Sequence, residues 1–262
     1  MKKYFVLLCI ITASINCFAE SAYTFDLKKD LLIGSASLGI TAVSLFINRS
    51  AGIASGSGIP FSRDNVNAFD RGLMYQYNRP LDIASDIVLY GLFAMPLISL
   101  AENARDGDAW AVYGIMFAES FILTFGSTEF FKNSIARYRP FCYFGDIPSG
   151  KSAGYYKSFP SRHTAFAFMS AGFFTSTFCT EYPDSSWRIP LGFVSYSLAA
   201  GVGISRIFSG NHFLSDVLAG AALGSVFGYL IPWLHVRKKP DTVTFVPLYN
   251  GFVLTVSVGT GK

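Results

Sequence analysis

The sequence has few charged residues for its length. Charged side chains make up 15% of its 262 residues, whereas an ordinary soluble domain has about 25%. Hydrophobic residues make up 51%, and apolar runs near the length needed to cross a bilayer recur along the chain. The net charge of +4 is too small to indicate nucleic-acid binding. This composition argues against an ordinary soluble enzyme and predicts a polytopic membrane protein.

Cysteine and histidine are also scarce. Cys9 and Cys17 lie in the N-terminal leader, and the spacing of Cys142 and Cys179 matches no metal motif. That spacing leaves a disulfide between Cys142 and Cys179 open. The three histidines of the chain are His163, His212 and His235.

Residues 1–19 are typical of a secretory signal. Lys2 and Lys3 form a basic start, residues 4–15 are apolar, and Ala19 suits a cleavage site. We predict a signal peptide that is cleaved after this residue. A lipid-anchored leader or an uncleaved anchor are the alternatives.

Six further hydrophobic segments predict an all-α fold, a membrane bundle of about six transmembrane helices. We assign residues 20–239 to this membrane-embedded domain and residues 240–262 to a C-terminal tail. The tail alternates β-prone residues around a turn at Asn250-Gly251. The six segments are Leu31–Ile47, Ile83–Leu100, Trp110–Phe131, Thr164–Cys179, Ile189–Ile204 and Phe213–His235.

Three acidic residues lie inside these apolar segments. Ionisable groups at membrane depth are costly and usually face the interior of a bundle. Glu129 precedes Lys132 by three residues, which predicts a pair on one helix face. For Asp86 and Glu119 we favour hydrogen bonds between helices over a catalytic role.

Small residues form a strip on the last segment. Gly220, Gly224 and Gly228 are four residues apart, so they share one face of a helix. We predict that this strip packs against another helix of the same chain rather than forming a dimer. The sequence does not define an oligomeric state.

A basic patch follows the third segment. Lys132 and Arg139 are seven residues apart, close to two helical turns, so both can face one point. Pro140 is expected to end that helix. Arg137 lies off this face and is predicted to contact solvent or lipid headgroups.

Two histidine-containing patches follow. Ser161 is a suitable N-cap for the fourth segment, whose N-terminus suits a phosphate, and His163 lies in its first turn. His212 and Asp216 are four residues apart at the start of the last segment. The carboxylate can accept the imidazole N–H and fix its tautomer. Arg206 can reach the same place from the end of the preceding segment.

The alternation of helices puts all three patches on one face of the membrane. Each patch alone is a weak signal, but together they gather three cations around two histidines. Cations stabilise the charge of a phosphoryl group in the transition state. One histidine can then attack phosphorus while the other protonates the leaving oxygen.

The patterns Lys-x6-Arg-Pro, Pro-Ser-x-His and Ser-Arg-x5-His-x3-Asp, between Lys132 and Asp216, resemble the type 2 phosphatidic acid phosphatase superfamily. That superfamily includes bacterial acid phosphatases, glucose-6-phosphatase and vanadium haloperoxidases. The resemblance implies that His212 is the nucleophile, Asp216 its orienting partner and His163 the general acid. It implies no metal and no other cofactor. The implied phosphate-binding groups are Lys132, Arg139, Arg206, Ser161 and the backbone N–H of Arg162.

One position departs from the family pattern, since Arg162 stands where glycine is usual. Its side chain could add a fourth cation and favour a pyrophosphate. It could equally point away to solvent or headgroups.

The resemblance implies a membrane lipid phosphatase acting on a phosphate monoester or a pyrophosphate. Expected substrates are phosphatidic acid, phosphatidylglycerophosphate, undecaprenyl pyrophosphate and lipid A. The alternatives are an acid phosphatase for soluble esters, or a non-enzymatic transporter or scaffold with a retained site. A haloperoxidase is disfavoured because those enzymes are soluble.

The expected location is the bacterial inner membrane, with the site facing the periplasm. Basic residues before the first segment and after the last one fit the cytoplasmic side. A cleaved signal would instead leave residue 20 outside, and six crossings would turn the site inward. Either the leader is not a standard signal or one segment does not cross.

Overall fold

The computed structural model describes residues 21–50, 61–100, 107–145, 148, 154–237, 242–248 and 251–257. The predicted signal peptide lies outside these residues. Most of the described chain is helical, as the sequence predicts. The helices are α1 (Leu27–Ser50), α2 (Ala68–Arg71), α3 (Arg79–Ala94), α4 (Gly107–Ser134), α5 (Arg162–Glu181), α6 (Arg188–Phe208) and α7 (Leu214–His235). Short 3-10 helices span Arg63–Asn65, Met95–Leu100 and Pro140–Phe144. In the tail, β1 (Thr242–Leu248) and β2 (Gly251–Ser257) form an antiparallel hairpin.

Five of the long helices are long and apolar enough to cross a membrane, namely α1, α3 with its extension to Leu100, α4, α6 and α7. The sixth, α5, is less apolar because it lies inside the bundle. Several of its polar side chains are buried and bond to neighbouring elements. Ser170 Oγ donates to the Leu92 carbonyl at 2.6 Å, and the Thr177 hydroxyl lies 3.0 Å from that of Ser99.

Helix α5 nevertheless runs the full length of the bundle, antiparallel to α4. At its start, Arg162 donates to Glu129 near the end of α4 at 2.8 Å. At its end, Glu181 accepts from the Tyr113 hydroxyl near the start of α4 at 3.0 Å. All six predicted segments therefore traverse the bundle.

The chain enters and leaves the bundle at the same end. Thr24 N donates to the His235 carbonyl at 3.0 Å, and Arg237 N donates to the Ala22 carbonyl at 2.8 Å. The opposite end collects the ends of α4 and α6 and the starts of α5 and α7, as the alternation of segments predicts. There, Ser161 N donates to the Asp216 carbonyl at 2.9 Å.

The glycine strip of α7 packs on α5, which confirms the predicted contact within the chain. A Cβ added at Gly220 would lie 2.4 Å from the carbonyl oxygen of Ser161, the N-cap of α5. At Gly224 or Gly228 it would lie 2.0 or 2.2 Å from a carbonyl oxygen of α5 itself. No side chain fits into such a gap. The two backbones therefore lie directly against each other.

Helix α3 begins at the Arg79-Pro80 pair, because proline fits the first turn of a helix and Asn78 caps it. The Asn78 side chain accepts from Leu81 N. Cys142 and Cys179 are both free thiols, so they do not form the disulfide that their spacing left open.

Candidate active site

The first basic patch reaches the site by a different route from the predicted one. Lys132 is buried in the last turn of α4, and its Nζ donates to the Lys157 carbonyl at 2.8 Å. Helix α4 ends at Ser134, so Arg139 does not share a helix with Lys132. Instead, Arg139 N donates to the Tyr155 carbonyl at 2.8 Å. This pairing of extended segments brings both cations to the same end of the bundle.

His212 lies in the turn between α6 and α7, two residues before α7 begins. Gly210 makes the turn with a φ of +69°, and a Cβ there would lie 2.5 Å from the Tyr75 carbonyl oxygen. Only glycine suits that position. His212 Nδ1 lies 3.5 Å from Asp216 Oδ2 in the first turn of α7. The pair is therefore close, although it is not the helical pair that its spacing predicted.

Burial and neighbouring cations keep the His212 ring neutral. Burial lowers the pKa of His212 most, and the positive charges of Arg139, Lys132 and Arg206 lower it further. Together they hold this pKa well below its usual value. With the proton on Nδ1 facing the carboxylate, Nε2 carries a lone pair. Arg139 Nη1 lies 3.4 Å from this nitrogen. The geometry suits a nucleophilic Nε2 beside an anion-binding group.

Arg137 is not a solvent or headgroup contact, contrary to the prediction. Its Nη1 donates to Asp216 Oδ1 at 2.5 Å, and its Nη2 donates to Asp70 Oδ2 at 2.6 Å. The other oxygen of Asp216 accepts from Ser158 Oγ at 2.6 Å and from Phe213 N at 2.9 Å. Because α4 stops at Ser134, residues 137–139 are extended, and this turns the guanidinium inward.

Asp70, in α2, is a site residue that the sequence reasoning missed. Burial alone would raise the pKa of Asp70, but hydrogen bonds from Arg137, Ser215 and Asn67 outweigh it and keep that pKa below its usual value. Ser215 N donates to Asp70 Oδ1 at 2.9 Å. No motif marks this aspartate, which comes from a loop region rich in Gly, Ser and Asn.

Arg206 is fully buried near the end of α6 and pairs with Asp82 of α3. Its Nη1 also donates to Ser85 Oγ at 3.1 Å. Its Nε is buried without a hydrogen-bond acceptor among the described residues. Asp82 also accepts from the Tyr77 hydroxyl at 2.8 Å and from Asn211 Nδ2 at 3.2 Å. Asp82 therefore fixes the orientation of Arg206, a role that the sequence reasoning did not anticipate.

The start of α5 is capped as predicted. The Ser161 hydroxyl oxygen accepts from Thr164 N at 3.4 Å. The backbone N–H groups of the first turn, including those of Arg162 and His163, have no acceptor within the helix. They can therefore receive an anion.

The Arg162 side chain bonds to Glu129 at 2.8 Å and lies over the Phe125 ring. This contact supports the alternative in which the side chain points away from the phosphate. It also replaces the predicted pair between Glu129 and Lys132.

His163 contacts Asp86, for which the sequence predicted a partner on another helix without naming it. Its Nε2 lies 2.9 Å from Asp86 Oδ1 of α3. The predicted role of Asp86 as an interhelical contact is correct, but its partner is one of the site histidines. The bundle end thus gathers two histidines and three basic side chains, of which Lys132 and Arg206 are buried and Arg139 is partly buried. Each of the three basic side chains bonds to a carboxylate or a carbonyl oxygen.

Comparison with known proteins places this arrangement in a family. The model of the PAP2 superfamily matches residues 109–240, which include every predicted site residue. Lipid A 1-phosphatase of Porphyromonas gingivalis is 40% identical over 87 residues, 33% of this chain and 18% of the relative. Probable diacylglycerol pyrophosphate phosphatase 1 of Schizosaccharomyces pombe is 31% identical over 81 residues, 29% of each chain.

A third relative matches over a longer stretch. Bacitracin transport permease protein BcrC of Bacillus licheniformis is 30% identical over 182 residues, 66% of this chain and 81% of the relative. The chain spans less than a third of the length of the two phosphatases, 18% and 29%.

Proposed function

Since the chain belongs to the PAP2 superfamily, we propose that it is a membrane phosphatase that hydrolyses a lipid phosphate through a phosphohistidine on His212. One observation carries this proposal. The His212 ring is buried and neutral, with Nδ1 toward Asp216 and Nε2 toward Arg139.

In the first step, His212 Nε2 attacks phosphorus and forms an N–P bond as the P–O bond to the leaving group breaks. His163 gives a proton to the leaving oxygen. Asp216 stabilises the imidazolium that forms on His212. In the second step, His163 takes a proton from water, water attacks phosphorus, and the N–P bond breaks to release phosphate.

Three cations would stabilise the negative charge of both transition states. Lys132, Arg139 and Arg206 lie close enough to His212 to depress its pKa. The same three positive charges would bind the non-bridging oxygens of a phosphate. The side chains of this chain supply the neutralising charge, so the proposed reaction needs no metal ion.

Two carboxylates act through the histidines rather than on the substrate. Asp86 Oδ1 lies 2.9 Å from His163 Nε2 and can fix the orientation of that ring. Asp216 is itself held by Arg137, Ser158 and the backbone of Phe213. Asp86 is therefore proposed as a positioning residue for the general acid.

The proposed substrate is an amphiphile whose phosphate reaches the end of the bundle from the headgroup layer. Two relatives are named for phosphates of lipids, one a lipid A and one a diacylglycerol pyrophosphate. The bond between Arg162 and Glu129 removes the reason to prefer a pyrophosphate over a monoester. Phosphatidic acid, phosphatidylglycerophosphate, undecaprenyl pyrophosphate and lipid A all remain in the proposal, as does an inner-membrane location with an outward-facing site.

The test uses the full chain in detergent with these four lipids and with p-nitrophenyl phosphate. We expect phosphate release from at least one lipid, and loss of that release in His212→Ala. With a substrate labelled on phosphorus, the denatured enzyme should carry label that is stable in alkali and lost in acid, as for a phosphoramidate. Arg162→Gly is the matched control and should be labelled normally.

Equal release by His212→Ala would overturn the proposal. Hydrolysis of p-nitrophenyl phosphate without hydrolysis of any lipid would favour the acid phosphatase alternative. Lipid binding without hydrolysis, in both wild type and His212→Ala, would favour a transporter or scaffold.

A further inference from the structure

A second group of polar side chains lies at the opposite end of the bundle. Asp30 is in the first turn of α1, Glu119 is within α4, and His235 is the last residue of α7. All three are buried, with exposed fractions of 7%, 6% and 1%. One ligand atom of each lies within 4.8 Å of those of the other two.

The outer atoms of two of these side chains are already fixed. His235 Nδ1 lies 2.8 Å from the Ile231 carbonyl oxygen, so Nδ1 carries the proton and donates it. Asp30 Oδ2 accepts from Asp26 N at 2.7 Å. His235 Nε2 and Asp30 Oδ1 therefore point inward, 2.5 Å apart. A histidine that donates its second nitrogen to a carbonyl is the usual arrangement around a bound metal.

Glu119 provides an independent observation. Its Oε2 is buried and has no hydrogen-bond partner among the described residues. This oxygen lies 3.5 Å from His235 Nε2. A buried carboxylate oxygen without a partner is costly. A cation between the three inward atoms would remove that cost.

We propose that Asp30, Glu119 and His235 bind a divalent transition-metal ion, with Zn²⁺ as the best match. One imidazole nitrogen and two carboxylate oxygens are suitable zinc ligands, with a fourth position open. Tetrahedral bonds of about 2.0–2.2 Å keep ligand atoms roughly 3.4 Å apart. The distance from Glu119 to His235 already fits, and Asp30 would move away from His235 by less than about 1 Å.

The bound ion would join the first helix to α4 and to the last helix. Helix α7 rises about 1.5 Å per residue, which places this site roughly 30 Å from His212. The ion would therefore stabilise the bundle and take no part in hydrolysis. Without an ion, a proton shared between His235 Nε2 and Asp30 Oδ1 would take its place, with Lys29 nearby, whose Nζ donates to the Leu234 carbonyl at 2.9 Å. That proton-only arrangement is the competing account.

The experiment measures metal on the full chain, purified in detergent without chelator. We expect about one divalent ion per chain by mass spectrometry of the metals. Treatment with EDTA should lower the midpoint of thermal unfolding, and added Zn²⁺ should restore it. Glu119→Gln should lose stoichiometric binding, and its midpoint should no longer respond to EDTA. Glu129→Gln, which alters a carboxylate at the other end of α4, should keep both properties.

The competing account predicts a different result. If wild type dialysed against Zn²⁺ or Mn²⁺ binds no ion, and its unfolding midpoint is the same with and without EDTA, the metal site does not exist. These wild-type measurements decide the question even if Glu119→Gln does not fold. They are also independent of phosphatase activity.

Discussion

Arg137 touches no phosphate in the proposed mechanism, yet its guanidinium joins two buried carboxylates. Arg137→Ala would leave Asp70 and Asp216 without their cation, at a cost of about 3–5 kcal/mol. We also expect activity to fall about a hundredfold, because a shift of Asp216 displaces His212. Thermal unfolding and steady-state rates measure the two effects. Arg137→Lys, which keeps the charge, should recover part of both, and a fully active Arg137→Ala would contradict this account.

In contrast to Arg137, substitution of Arg162 should have little effect on stability or activity. Its side chain is 41% exposed and bonds to Glu129, so the lost ion pair costs no more than about 1 kcal/mol. Glycine also leaves the backbone N–H of this position in place. Arg162→Gly should therefore keep substantial phosphatase activity, measured as phosphate release. Complete loss would mean that the Arg162 side chain binds the phosphate after all.

Asp86 should affect kcat most for substrates whose leaving group must be protonated. Lipid alkoxides are poor leaving groups, whereas p-nitrophenolate leaves without protonation. Asp86→Asn should therefore lower kcat for a lipid phosphate by about tenfold or more while affecting p-nitrophenyl phosphate much less. An equal loss for both substrates would indicate only a structural role.

The sequence could identify the site residues that lie in motifs, but not those that support them. The positions of His163, His212 and Asp216 follow from motif spacing and helix alternation. The carboxylates Asp70 and Asp82 come from α2 and the start of α3, 50 or more residues before Lys132, where the first motif begins. Nothing in their spacing links them to a motif, because only the fold brings these elements together.

Helices α5 and α7 touch through their backbones, so the glycine strip is sensitive to a single methyl group. A Cβ at Gly224 would lie 2.0 Å from the Ala165 carbonyl oxygen. Gly224→Ala should destabilise the protein by about 1–3 kcal/mol. It should also lower activity, because α5 carries His163 and α7 begins two residues after His212. Gly201→Ala is the matched control, since a Cβ at that position in α6 meets nothing within 4 Å. Equal unfolding midpoints for the two variants would contradict the close contact.

The hydrophobic segments of the sequence predicted every long helix of the described structure. They predicted less well the residues at which each helix begins and ends. Helix α3 begins at Arg79 because Asn78 caps it, and α4 ends before Pro140. Helix α5 is the least typical segment by composition because its neighbours, not lipid, satisfy its polar groups. Apolar periodicity records burial, and it does not show whether a helix is covered by lipid or by protein.

For the whole molecule, six helices traverse the bundle and both ends of the described bundle lie opposite the site. If all six helices also cross the membrane, a site that faces outward requires residues 21–26 to lie inside.

Cysteine labelling of intact cells tests this sidedness. Asp64 lies near the site and Asp184 lies in the connection at the other end, and both are exposed. In a chain lacking its natural cysteines, an impermeant reagent should label Asp64→Cys and not Asp184→Cys. The reverse pattern would place the site in the cytoplasm.

The backbone contact between α5 and α7 also bears on how the protein responds to its bilayer. Membranes of different thickness change the tilt of helices that pack through flexible side chains. Here carbonyl oxygens of one helix occupy the space of missing side chains on the other, so the two cannot slide past each other. The separation of the two histidines is thus set by main-chain contact. Acyl-chain length should alter how lipids reach the site, and leave the spacing of its acid and its nucleophile unchanged.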